Sequence, residues 1–148
     1  MASRVRVLAL ALSSLVLLAG LAYLLFLQVT YPHLVPGYGG GERFSLDRAN
    51  DYTYQIPWHA VSRLHVTLQA NETVELYVND EYACSCTSYD LVVEPGEQAL
   101  IMLKSNAPVS DKFTLRQEVP IERRMLAYGI IAAGLIAVVL SIKIKRKR

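Results

Sequence analysis

Two cysteines one residue apart, Cys84 and Cys86 in "EYACSCTSYD", are the only thiols in the chain. Such a pair can hold a soft metal ion, close a local disulfide, or fill one face of a strand as small apolar residues. In a regular strand, residues i and i+2 face the same way with Cα atoms roughly 6.6 Å apart. A disulfide wants Cα atoms about 4.4–6.8 Å apart and converging Cβ vectors, whereas vectors along a strand run parallel. A Cys84–Cys86 bridge therefore calls for a bulge or turn at Ser85. Two thiolates are half a metal site, because Cu(I) accepts few sulfur ligands while zinc wants four donors. His33, His59 and His65 complete the set of soft donors, and none stands at metal-motif spacing from the cysteines. Spacing alone favours structural thiols packed on a neighbouring strand. An extracytoplasmic copper-binding or thiol-redox role is the alternative, and no cofactor is expected.

Two other groups could bind. Tyr52, Tyr54 and Trp58 in "DYTYQIPWHAV" could stack on a sugar or anchor a protein partner, since Tyr and Trp are enriched at such spots. Large aromatics also dominate small cores, and that use is favoured here over a glycan-binding surface. Asn71-Glu72-Thr73 is an N-glycosylation acceptor triplet in an expected turn. No GxSxG, HExxH, P-loop, GxGxxG or EF-hand pattern occurs in the chain, and no enzyme is expected.

The elements that position these residues begin with two apolar runs. Residues 7–29 and 125–142 carry no charge, and a bilayer core of about 30 Å needs about 20 apolar residues in a helix. Both runs are expected to be transmembrane helices. The first exceeds the roughly 7–15 residues of a cleaved signal's apolar region, which argues for an anchor. Arg4 and Arg6 precede it, and Lys143, Lys145, Arg146, Lys147 and Arg148 follow the second. These seven basic residues, with no acidic ones, leave a net charge of −5 between the spans. Basic flanks stay in the cytoplasm, so residues 1–6 and 143–148 are expected to be cytoplasmic tails. Residues 30–124 then lie outside, across a cell or endomembrane bilayer. Five cations beside a membrane serve topology and anionic lipid, and no nucleic-acid role follows from so short a tail.

Between the spans, residues 30–43 hold two prolines and a run of glycines and are expected to be a linker. From 44 to 120 the pattern has period two. "SRLHVTLQ", "TVELYV" and "DKFTLRQEV" alternate cleanly, the last placing Phe113, Leu115 and Val119 on one face. "DYTYQI", "SYDLVV" and "QALIMLK" add three more candidates. "QANET", "VNDEY", "EPGEQ" and "SNAPVSD" are turn chemistry between them. Six to seven short strands without crossover helices imply a mostly antiparallel all-β sandwich, Ig-like or jelly-roll, followed by a connector at 121–124.

In the second span, Gly129, Ala133, Ala137 and Ser141 recur every fourth residue. Small residues let helix backbones approach closely, so this stripe is expected to pack on the first span, a second copy or a larger complex. The chain is thus expected to be a non-catalytic, membrane-anchored binding, scaffold or accessory subunit. Its partners would be the bilayer and a protein or second copy, met through the second helix and the external domain.

Overall fold

The computed structural model describes residues 2–38, 41–47 and 51–143, apart from the side chains of residues 2–4 and 6. The side chains of Arg4 and Arg6 and the whole of Lys145, Arg146, Lys147 and Arg148 lie outside that description. The chain forms two compact units: Met1–Tyr31 with Val119–Arg148, and Pro32–Glu118.

The first unit is a pair of helices, α1 (Ala2–Val29) and α2 (Ile121–Lys143). Leucine and alanine dominate α1, isoleucine and alanine α2, and neither run holds a proline to interrupt the helix. At 1.5 Å per residue, 28 and 23 residues give about 42 and 34 Å. Both are long and apolar enough to cross a membrane. Pro32 stops α1, in a 3-10 turn at Tyr31–His33. Pro120 opens α2, its carbonyl accepting from the N–H groups of Arg123 and Arg124. Glu122 in the first turn and Lys143 in the last complement the helix dipole. The Arg123 guanidinium lies 4.7 Å from the centre of the Tyr31 ring.

The helices meet along residues spaced by seven. On α1 the buried positions are Ser13, Gly20 and Leu27, and on α2 they are Ala127 and Gly134. A Cβ on Gly134 would lie 2.8 Å from Leu17 Cα, and one on Gly20 would lie 2.8 Å from Ile131 Cγ1. The sequence stripe sits mostly off this contact. Gly129 has nothing within 4 Å of where its Cβ would be, Gly129 and Ala133 are exposed, and Ala137 and Ser141 are half-buried. A seven-residue recurrence keeps one seam facing the partner, whereas a four-residue stripe winds away from it. Ser13 and Ser141 satisfy their hydroxyls on the carbonyls of Ala9 and Ala137, at 2.9 and 2.8 Å.

The second unit is a six-stranded sheet whose strand pairs are all antiparallel. Its strands are β1 (Gly41–Leu46), β2 (Tyr52–Pro57), β3 (Leu64–Val78), β4 (Glu81–Val93), β5 (Gln98–Lys104) and β6 (Val109–Gln117). The order is β1-β6-β3-β5-β2, with β4 alongside β3. "QANET" is not a turn: the two strands expected around it are one 15-residue strand. Residues 64–70 of β3 pair with β6 and residues 75–78 with β5, across a register break between Gln69 and Val74. The triplet holds no glycine or proline to reverse the chain, so β3 shifts register and continues. A true two-residue turn follows at Asn79 and Asp80, with φ of 52° and 67°, residues that tolerate this region in a hairpin.

Alternation puts Leu64, Val66, Leu68, Val74 and Leu76 of β3 in the core with Phe113 and Leu115 of β6. Val119 does not join them. It packs with Leu27, Tyr31 and Ala127 in the helical unit, and Gln117 takes the buried place nearest the end of β6. The stretch expected as a linker also contributes: Val35 is 4% exposed in the sheet core, and Tyr38 N–H closes a turn on the Val35 carbonyl.

Replacing Gly134 by valine (G134V) forces α1 and α2 apart. In detergent micelles, circular-dichroism unfolding should show a loss of about 1–3 kcal/mol. G129V should stay within about 0.5 kcal/mol of the parent.

Candidate functional site

Strand β4 is the candidate interaction element. Among the described residues it pairs with β3 alone, and its other edge has no strand partner there. Protein edges are usually blunted by lysine, proline or a very short strand. This edge is 13 residues long and contains neither lysine, arginine nor proline. Its charges are Glu81 and Asp90, and Tyr82 and Val92 are 59% and 45% exposed.

Cys84 and Cys86 lie on this strand, opposite Leu76 and Val74. They face the core side and are half-buried. They are joined by a disulfide, with Cα atoms 5.7 Å apart. The structure thus replaces the expected free structural thiols with a local bridge. The strand irregularity stands at Ala83, where the register steps from Leu76↔Cys84 to Tyr77↔Tyr82, while Ser85 pairs regularly with Glu75. Across the bridge itself the register is regular, and the extra residue of the bulge stands just outside it.

The histidines do not gather round the cysteines. His65 Nε2 meets the Glu118 carboxylate at 3.0 Å, His33 is in the 3-10 turn, and His59 follows β2. Among the described residues, no group of three His, Cys, Asp or Glu side chains could hold a metal ion.

The aromatic set divides. Trp58 is 1% exposed, and its indole N–H donates to the Ser62 carbonyl at 2.5 Å, so the ring has no face for a ligand. Ser62 Oγ lies 3.5 Å from Gln117 Oε1, and Gln117 Nε2 donates to the Leu34 carbonyl at 2.5 Å. This buried chain of hydrogen bonds ties the entering segment of the sheet unit to its last strand.

Tyr52 and Tyr54 are half-buried, stacked at 6.2 and 5.2 Å on Phe113. Tyr38 meets Tyr54 edge-on at 6.2 Å. Tyr52 Oη donates to Glu42 at 2.9 Å, and its ring lies 5.5 Å from Phe44. Side chains thus join β1 and β2, the two ends of the strand path. Burial pushes the Tyr52 phenol up to about 12, reinforced by the hydrogen bond to Glu42 and its charge. The Tyr38 and Tyr54 phenols are raised by burial first and by Glu42 second. Glu42 falls inside the expected linker, where no sequence signal singles it out. Asn71 lies within β3 at the register break, and its Oδ1 accepts from the Ser110 N–H at 3.1 Å.

No family model and no curated protein matches the chain. Among solved structures, a de novo designed double-stranded β-helix, determined in solution by NMR, shares 16% identity with it at a TM-score of 0.35. That similarity covers 53% of this chain and 97% of the designed one. A superposition this loose carries no weight for fold or function.

Two outcomes test the site's framework. W58F should destabilise the full chain in denaturant by about 1–3 kcal/mol, because the Ser62 carbonyl loses its buried donor. Alkaline stability should fall as the pH rises from 10 to about 12. Over that range an unfolded tyrosine ionises while folded Tyr52 holds its proton, so the unfolded state binds fewer protons and gains. Below pH 10 this contribution is fully present. A pH series of unfolding midpoints should be flatter for Y52F than for the parent.

Proposed function

We propose that the chain is a two-pass membrane protein whose exported β unit is a non-catalytic binding or accessory module. Its open β4 edge would accept an extended strand from a protein partner. The observation that carries this reading is the 13-residue edge with no lysine, arginine or proline. Backbone hydrogen bonds along such an edge supply affinity, and alternate side chains supply selectivity.

The helices support the membrane part. Only 17% and 11% of their most apolar windows are buried, so most of that apolar surface needs a cover that hydrocarbon would provide. The basic flanks in the sequence support cytoplasmic termini. The side-chain junction of β1 with β2 supports closure of the bent sheet into a sandwich of Ig-like or jelly-roll type. On this reading the exposed face of α2, with Gly129 and Ala133, meets lipid or a second helix.

A thiol-redox or copper role is the second reading, favoured by the Cys84–Cys86 pairing on an accessible strand. Ser85, between the two cysteines, lies opposite Glu75, and Lys104 on the far side of Glu75 is taken up by Asp51 at 3.6 Å, whereas reactive thiolates are generally activated by a nearby cation. This weighs toward the binding module. Glycan recognition loses its strongest ring with Trp58 in the core.

Purification from membranes in mild detergent, followed by mass measurement, should yield the chain with a bound protein or second copy. The double substitution T87K/V92K places cations on the β4 edge and should abolish co-purification without moving the unfolding midpoint. A parent chain recovered only as a bare monomer would overturn the proposal, as would a complex that survives both lysines.

A further inference from the structure

The register break in β3 coincides with Asn71-Glu72-Thr73. Pairing with β6 ends at Ala70↔Asp111, pairing with β5 begins at Glu75↔Lys104, and β4 skips from Gln69 to Val74. The three residues of the triplet therefore have no Cα partner on any of the strands flanking β3, and all three are exposed. An acceptor asparagine locked into a ladder would be inaccessible to a transferase; this one sits where the ladder is interrupted. Its Oδ1 is already engaged by the Ser110 N–H at 3.1 Å. The carboxamide presents oxygen and nitrogen on opposite arms of one plane, so holding the oxygen toward β6 turns Nδ2 away from it. Thr73, whose hydroxyl completes the acceptor triplet, borders an open hollow of about 330 Å³ with Asp51, Ser105 and Asn106. No other Asn-x-Ser/Thr triplet occurs in the chain.

We propose that Asn71 is the acceptor of an N-linked oligosaccharide, an inference that rests on export of the sheet unit. In the transfer, Asn71 Nδ2 attacks the anomeric carbon of a lipid-linked oligosaccharide. A C–N bond forms and the C–O bond to the lipid pyrophosphate breaks. The lipid pyrophosphate leaves with the bonding electron pair, Nδ2 gives one proton to a base of the transferase, and nothing is oxidised or reduced. Because β6 and β4 flank β3 on opposite sides, a glycan rooted beside Ser110 leaves the β4 edge clear.

The test is expression of the full chain in a cell that N-glycosylates exported proteins, read by intact mass and peptide mapping. The parent should carry one oligosaccharide, on the peptide containing Asn71. T73A should remove it completely while keeping the Asn71–Ser110 hydrogen bond, T73S should retain it, and N71Q should lack it. P108T serves as the control, since it turns Asn106 into a second acceptor in an exposed loop. Glycan on Asn106 with Asn71 bare would overturn this proposal and leave export standing. Both sites bare would overturn export and the proposal together.

Discussion

One strand has to serve two sets of neighbours, and the sheet unit is organised around that constraint. β3 spends its first half between β4 and β6 and its second between β4 and β5. A flat strand cannot do this without exposing one half of its core face, so it breaks register between Gln69 and Val74. The alternation of buried residues restarts after the break: Leu64, Val66 and Leu68 before it, Val74 and Leu76 after it, all within 2% exposure. The same break lifts Asn71 out of the ladder. The hairpin at Asn79 and Asp80 then returns β4 along the whole of β3, which leaves β4 as a long edge.

The remaining closures are made by side chains. Tyr52 and Glu42 join β2 to β1, and Trp58, Ser62 and Gln117 tie the segment around Leu34 to β6. Both sets use polar groups at or beside the core, where each hydrogen bond matters because a missing partner would leave a desolvated group. In the helical unit the equivalent role falls to absent side chains. Gly20 and Gly134 let α1 and α2 approach to distances that no Cβ would tolerate.

Much of the architecture was legible in the sequence. Two uncharged apolar runs marked both helices, and period-two alternation located strands that the structure contains. The misreadings have a common cause. "QANET" has turn composition, but composition does not say whether a neighbouring strand will continue the pairing. Val119 and Gln117 differ by two positions and share a parity, yet they belong to different units, because the strand ends between them. In the second helix the sequence left open whether the stripe meets the first span or something else; Gly129 is as small as Gly134, and only helix rotation turns Gly134 rather than Gly129 toward α1.

The linear order of residues, by itself, determined what each segment can become: apolar runs long enough for helices, alternating runs for strands, a cysteine pair close enough to bond. These are local properties, set by side-chain chemistry and a fixed backbone period. Tertiary structure alone decided which strand keeps an open edge, where β3 changes its neighbours, and that Trp58 is buried while Asn71 is exposed. Those outcomes depend on contacts between residues far apart in the chain, whose energies no local window contains.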